Sequence, residues 1–267
     1  KVKDNRSETR RVSAFTVICK CGEVRTKMEM VKKDIINPNL KYPKDFIDKI
    51  ICGDCLELIK LIPNNSIDVV LTDPPYGLRK EAIRGDADLS LFYNILSECD
   101  RVLKDNSFFI TFFSTKFLPQ LFKNNPFNYF WQIVLYCPEG RVKSPIGYTK
   151  YMSFFIFKKG KPKIIRWNKD IFIDTPGKMV EPDEGYIDHP TPKPKHFIKE
   201  ILKMFTKDND LILDPFIGSG STAVACFHLN RRFIGFEIEE KYYKIALERV
   251  QKALGSVIKE SRNISLK

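Results

Sequence analysis

Ile67-Asp68-Val69-Val70-Leu71-Thr72 runs without a break into Asp73-Pro74-Pro75-Tyr76-Gly77. The first six residues are mostly apolar and β-branched, which predicts a buried strand over Ile67–Thr72. Two prolines then stop it, because each fixes φ and removes a backbone donor. What survives at the strand end is rich in acceptors: the Asp73 carboxylate and the Pro74 carbonyl. An exocyclic amine, with two N–H donors, is the complementary ligand. Tyr76 adds a flat face for a nucleobase, worth roughly 1–3 kcal/mol by stacking. An ordinary strand-ending turn is the competing reading. A strand, this four-residue motif and a glycine in direct succession weigh against it.

Two further strands end in the same manner. Lys49–Cys52 is a short apolar run that stops at Gly53-Asp54, with Leu56, Ile59 and Ile62 at helical spacing over Cys55–Ile62. Asp210–Leu213 stops at Asp214-Pro215-Phe216-Ile217-Gly218-Ser219-Gly220, and a helix over Ser221–Leu229 opens there. Glycines in such a turn let a ligand approach the backbone, and the helix N-terminus offers N–H groups. Glu237 falls near the end of the next strand, Phe233–Ile238, where an acid can accept from both hydroxyls of a ribose. The third glycine of the dinucleotide fingerprint is missing, since Ala223 follows Thr222. A nucleoside-bearing cofactor without a pyrophosphate fits better. A helix-capping turn and a surface Glu form the plainer alternative.

Between these points the pattern alternates. Helices are expected over Leu91–Leu103, Lys116–Phe122, Pro194–Phe205 and Glu240–Leu254, and strands over Ser107–Phe113, Asn128–Tyr136 and Tyr151–Phe157. Leu78–Ser90 reads as a loop and Lys161–Asp188 as irregular chain. Nearer the start, Val12–Cys19 reads as a loose strand, Met28–Asp34 as helical and Asn37–Pro43 as a linker. This is an α/β pattern: a mostly parallel, doubly wound sheet with helices on both faces. Ligands bind beyond the carboxyl ends of such strands, so the three motifs should meet at one edge.

The 267 residues suit one domain with an appendage. Hydrophobic residues at 43% leave enough to build a core, which excludes wholesale disorder. No stretch reaches the length of a membrane span. Lys1–Arg11 is polar and holds no apolar core of a secretory signal. The seven cysteines are scattered, several of them in apolar runs, and read as reduced core thiols. Cys19, Cys21, Cys52 and Cys55 lack the spacing of a zinc site, and no metal is expected. The net charge of +12 attracts polyanions, nucleic acid first. That charge concentrates in Arg141–Lys169, which holds nine basic residues and no acidic one. Arg141, Lys143, Lys150, Lys158, Lys159, Lys163 and Arg166 are the candidate DNA contacts within it, and Tyr148, Tyr151 and Trp167 interleave. A solvated basic hairpin is the alternative.

The motifs together resemble the amino-methylating DNA methyltransferases that use S-adenosylmethionine. Asp73-Pro74-Pro75-Tyr76 is similar to their catalytic motif, and Asp214 to Thr222 to their cofactor loop. His189-Pro190-Thr191-Pro192-Lys193-Pro194 resembles their His-Pro-Thr-Gln-Lys-Pro segment, with Pro192 in place of Gln. Gly53-Asp54-Cys55 resembles the element that meets the cofactor's adenine. The likeness spans roughly Lys49–Gln251, and the catalytic motif precedes the cofactor loop, as in the β class.

The resemblance implies a Rossmann-like methyltransferase fold with permuted strand order. The strand ending at Cys52 would be third in the family's sheet and the strand ending at Leu213 first. It implies a domain over 46–256, with a catalytic half at 46–160, a basic target-recognition insertion at about 141–188 and a cofactor half at 189–256. Residues 1–45 would be an extension and 257–267 a tail. The implied catalytic residues are Asp73, Pro74, Pro75 and Tyr76. The implied cofactor residues are Asp54, Cys55, Asp73, Thr191, Lys193, Asp214, Phe216, Gly218, Ser219, Gly220, Ser221, Thr222 and Glu237. Asp214 or its loop would meet the methionine end, Phe216 would pack on the cofactor, and His189 would position a loop. The target base would flip out of double-stranded DNA, stack on Tyr76 and donate its amine to Asp73 and the Pro74 carbonyl. Asp at position 73 favours adenine N6 in this family. Cytosine N4, an RNA amine and a catalytically inactive DNA-binding subunit are the alternatives. A prokaryotic or phage-like cytoplasmic, nucleoid-associated setting follows from the resemblance, with a homodimer left as an option.

Overall fold

The computed structural model describes residues 16–18, 24–26, 40–75, 89–123, 125–140, 142–173, 180–181, 185–189 and 192–265. The chain divides into two compact units, Lys1–Met30 and Val31–Lys267. The first contains strands β1 (Thr16–Ile18) and β2 (Val24–Thr26), paired antiparallel. The helix expected over Met28–Asp34 lies outside the described residues.

The second unit is built on an eight-stranded sheet. Along the chain come β3 (Lys49–Cys52), α1 (Cys55–Leu58), β4 (Ile67–Thr72), α2 (Ser90–Val102), β5 (Leu103–Phe112), α3 (Leu118–Phe122) and β6 (Asn128–Tyr136). A hairpin of β7 (Val142–Ser144) and β8 (Gly147–Thr149) precedes β9 (Tyr151–Lys159) and β10 (Ile171–Ile173). A small pair, β11 (Val180–Glu181) and β12 (Gly185–Tyr186), is followed by α4 (Lys195–Phe205), β13 (Leu211–Asp214), α5 (Ser221–His228), β14 (Arg232–Glu237) and α6 (Glu240–Ser265).

The sheet order is β10-β6-β9-β5-β4-β13-β14-β3. From β3 to β5 every pairing is parallel. β9 then runs antiparallel between β5 and β6. The expected permutation holds: β13 lies beside β4 at the centre, β14 is next, and β3 is third and at the edge. From β4 the chain moves outward to β5, and from β13 it moves the other way to β14. Loops diverge at such a switch point and leave a crevice at the carboxyl ends.

Alternate residues of β5, with Phe113 directly after it, explain why both faces are covered. Phe109 and Phe113 point to the α2 side, where Phe113 meets Phe92 at 4.8 Å between ring centroids. Phe108 and Phe112 point to the other side, where Phe108 meets Phe205 of α4 at 4.8 Å. A strand buried on both faces is apolar throughout, which is how the central strands read. The segment before β3 belongs to this core: Phe46 is wholly buried, and Leu40 and Tyr42 pack against the same cluster.

Several boundaries differ from expectation. β5 starts at Leu103, four residues early, through pairing of Leu103 with Ile67 ahead of a register shift. Cys55–Ile62 divides into α1 and a 3-10 turn over Ile59–Leu61. Within the stretch read as irregular, β10 adds to the sheet by pairing with β6. The tail expected over 257–267 is helical as far as Ser265.

Candidate active site

Four strand ends meet at the carboxyl edge. Register places Leu213 beside Val70, Asp214 beside Gly235 and Glu237 beside Cys52. The segments that follow, at Asp73, Asp214, Glu237 and Gly53, line one cavity of about 1410 Å³. Asp54, Cys55, Pro74, Pro75, Lys193, Phe216, Gly218, Ser219, Ser221 and Thr222 line it too, as do Lys143 and Lys150. Tyr76, Thr191 and Arg141 lie outside the described residues.

Each polar group has an identifiable holder. Asp54 caps α1 by accepting from the Leu56 N–H at 2.9 Å. Cys55, one residue on, is buried in the core, and burial pushes its thiol up to about 12, so it stays protonated. Glu237 accepts from the Gly218 N–H at 2.9 Å and the Glu239 N–H at 2.8 Å. A carboxylate has about four acceptor sites, so capacity remains for a diol. Burial raises its pKa from the ordinary value. Asp214 accepts from the Phe216 N–H at 3.2 Å and from the Thr222 hydroxyl at 2.6 Å. Burial pushes its carboxyl up to about 7, against the opposing pull of those hydrogen bonds.

Asp73 has two unlike oxygens. Oδ2 pairs with the Lys193 ammonium, which also sits over the Phe112 ring at 4.7 Å. Oδ1 is buried and, among the described residues, has no hydrogen-bond partner. A buried acceptor left unmet costs roughly 1–3 kcal/mol, so this oxygen favours gaining a donor, and it belongs to a carboxylate whose residue lines the cavity.

The two loop glycines serve different ends. Gly218 has φ +52° and lines the cavity, and a Cβ there would lie 3.1 Å from the His189 Nε2. Gly220 has φ +82°, and its Cβ would lie 2.9 Å from the Ala246 Cβ, so it lets α6 pack against the loop. The hydroxyls of Ser219 and Ser221 are internal braces. The Arg249 Nη1 donates to the Ser219 carbonyl at 2.6 Å, the Ser219 Oγ at 3.0 Å and the Ser221 Oγ at 3.1 Å. The Ser221 hydroxyl then donates to the Lys193 carbonyl at 2.9 Å. A chain of contacts thus joins α6, the loop, Lys193 and Asp73.

Arg249 was missed from the sequence, although a signal existed. Tyr242, Ala246, Arg249 and Ala253 recur at helical spacing, which puts this arginine on the packed face of α6. His189 meets Tyr242 edge to face at 4.5 Å. Burial, and then the charges of Lys193, Arg249 and Lys241, lower its pKa to about 4, so it is neutral near neutral pH.

The basic stretch is not brought together. Lys143 and Lys150 are exposed at the cavity. β9 carries the chain to the opposite edge, where Lys159 pairs with Ser107 at the start of β5's buried run. There the Lys159 ammonium donates to the Asp100 and Leu103 carbonyls at 2.6 and 3.0 Å, capping the end of α2. Lys158 sits over Phe130 at 5.7 Å. Lys163 and Arg166 are exposed around Ile165, whose N–H donates to the Met204 carbonyl at the far end of α4. None of these four lines the cavity.

The described residues hold no group of three or more His, Cys, Asp or Glu able to bind a metal, and no helix long and apolar enough to cross a membrane.

The N6/N4 "DNA methylase" family model matches residues 67–248, and the chain belongs to that family of amino-methyltransferases. Type II methyltransferase M.HpaI of Haemophilus parainfluenzae is 30% identical over 234 residues, 76% of this chain and 74% of that one. DNA adenine methyltransferase YhdJ of Escherichia coli (strain K12) is 28% identical over 244 residues, 76% and 83% of the two chains. Two solved structures share the fold. The M1.HpyAVI–SAM complex aligns with TM-score 0.60 at 24% identity, covering 75% of this chain and 98% of that one. The cytosine-N4-specific PvuII DNA methyltransferase aligns with TM-score 0.63 at 20% identity, covering 75% and 85%.

Proposed function

We propose that the protein transfers a methyl group from S-adenosylmethionine to the N6 amine of an adenine flipped out of duplex DNA. The observation that carries this reading is Asp73, a residue that lines the cavity with one carboxylate oxygen tied to Lys193 and the other buried without a partner among the described residues. An exocyclic amine supplies the missing donor.

The residues present fit the cofactor. Glu237 is held by two backbone N–H groups with acceptor sites to spare for a ribose, and Asp214 and Phe216 flank a glycine turn for the methionine end. S-adenosylmethionine, when bound, supplies a sulfonium-activated methyl group. Asp73 and the Pro74 carbonyl accept the two amine hydrogens, which fixes the rotation of the amino group and turns its lone pair out of the ring plane. Proximity and alignment contribute most of the rate. With the cofactor bound, the methyl would leave its sulfur as a neutral thioether while the amine nitrogen gains the carbon and loses a proton, which Asp73 would accept or pass to water. Lys193 holds Asp73 in place. Tyr76 would stack on the base, and Lys143 and Lys150 would neutralise DNA phosphates at the mouth.

Adenine is favoured by Asp at position 73 and by the adenine-specific relative. The cytosine-N4 structure represents the rival. The type II relative and the bacterial hosts support a restriction–modification setting in a bacterial cytoplasm. The test is mass spectrometry of nucleosides from DNA incubated with protein and cofactor. N6-methyladenine is expected; N4-methylcytosine alone would reverse the base assignment.

A further inference from the structure

The hairpin β7–β8 has a tip that its own folding does not explain. Its two strands pair over three residues, with Ser144 opposite Gly147. That register leaves Pro145 and Ile146 as a two-residue turn. Tight hairpin turns favour Asn, Asp and Gly, and β-branched residues are out of place there. Ile146 is nonetheless 99% exposed, the most exposed large apolar side chain described. A single exposed apolar residue is ordinary by itself. This one lies at the mouth of the cavity that holds Asp73, on a hairpin whose Lys143 and Tyr148 face each other one pair below. A residue that breaks a local rule at a functional site is a candidate for function.

The hairpin is also braced. Its base is pinned where the Cys137 N–H donates to the Lys150 carbonyl at 2.6 Å and the Lys150 ammonium donates to the Pro138 carbonyl at 2.9 Å. Gly140 sits so close to the Thr149 carbonyl that a Cβ would lie 3.1 Å from it. Pro145 fixes its own φ. A tip ordered before binding loses little freedom when it inserts.

We propose that Ile146 is a wedge. It enters the base stack beside the target, fills the space the flipped base leaves, and holds the duplex open while Lys143 and Lys150 grip the flanking phosphates. Apolar wedges between base steps are a general means of unstacking a duplex. The base then has a path to Asp73, because tip and aspartate share one cavity. This inference rests on the DNA reading above. It makes Ile146 a positioning residue, with no part in the methyl transfer itself.

The test uses two synthetic duplexes carrying the methylated site, once sequencing of modified bases in treated plasmid DNA has located it. One duplex has the target base paired. The other places it opposite an abasic site, so that no pair must be opened. Ile146→Ser should slow transfer to the paired duplex by tenfold or more and leave the abasic duplex within twofold of the unsubstituted protein. Ile146→Leu should restore most of the loss. Cofactor affinity and melting temperature should not move, since the side chain touches solvent. Unchanged transfer to the paired duplex, or equal loss on both duplexes, would overturn the wedge. No transfer to any DNA by the unsubstituted protein would instead overturn the reading it rests on.

Discussion

The two ends of the sheet carry similar charges and use them differently. At the carboxyl edge Lys143 and Lys150 stand exposed beside a large cavity. At the amino edge Lys159 is spent on the last carbonyls of α2, and Lys163 and Arg166 lie around a link to the end of α4. These residues belong to one acid-free run, yet β9 separates its two parts by about 27 Å of extended chain. Charge density along a sequence therefore does not measure charge at a site.

Substitutions at the two ends should diverge most for catalysis. Asp73→Ala removes the acceptor and leaves Lys193 without its carboxylate. Methyl transfer should fall by more than about a thousandfold, some 4 kcal/mol of barrier, with duplex affinity little changed. Lys159→Ala at the other edge should leave the turnover intact and lower only the melting temperature. Equal loss of transfer in both would collapse the distinction.

Arg249→Ala comes next. It strips three hydrogen bonds from the cofactor loop, and leaving a buried acceptor unmet costs about 1–3 kcal/mol. Cofactor affinity and melting temperature should both fall, and Arg249→Lys should recover part of each. Calorimetry with S-adenosylmethionine measures the first.

The pH dependence is smaller and has a definite sign. Burial holds Asp214 at about 7, above its ordinary 3.8. In the free protein its contribution to stability is full below 3.8 and is lost as pH rises through about 7. In the proposed complex the cofactor's ammonium lies near Asp214 and favours its carboxylate, so cofactor affinity should move oppositely. It should weaken by up to about tenfold per pH unit below 7 and level off above it. Asp214→Asn should abolish that slope in a titration across the range.

The weakest effect concerns the charges themselves. Lys143→Ala should reduce the slope of log affinity against log salt by about 0.9 on duplex DNA, and Lys163→Ala should leave it unchanged. A matching change in both would extend the DNA interface to the amino edge.

The parallel half of the fold was legible because three of its five strands end in punctuation: Gly53-Asp54, Asp73-Pro74, Asp214-Pro215. Proline and glycine act locally, so their meaning survives without knowing the neighbours. The antiparallel half was harder. β10 is three residues long and owes its place to pairing with β6, and the hairpin β7–β8 lies inside the basic run Arg141–Lys169. Both depend on partners distant in sequence. The glycine turn was read correctly as a turn. That Gly220 serves α6 and Gly218 the cavity depended on which helix packs behind the loop.

The sequence by itself determined where the motif-bearing strands end and where the glycine turn falls, because apolar periodicity, proline, glycine and acidic side chains act over a few residues; the reaction class and the permuted order of strands came through the resemblance of those motifs to a known family. Only the tertiary structure decided which charges stand at the cavity, that Arg249 braces the loop, that one Asp73 oxygen has no partner among the described residues, and that Ile146 lines the cavity. Those are matters of distance between residues far apart in the chain, and burial and pairing set them after the strands have chosen their neighbours.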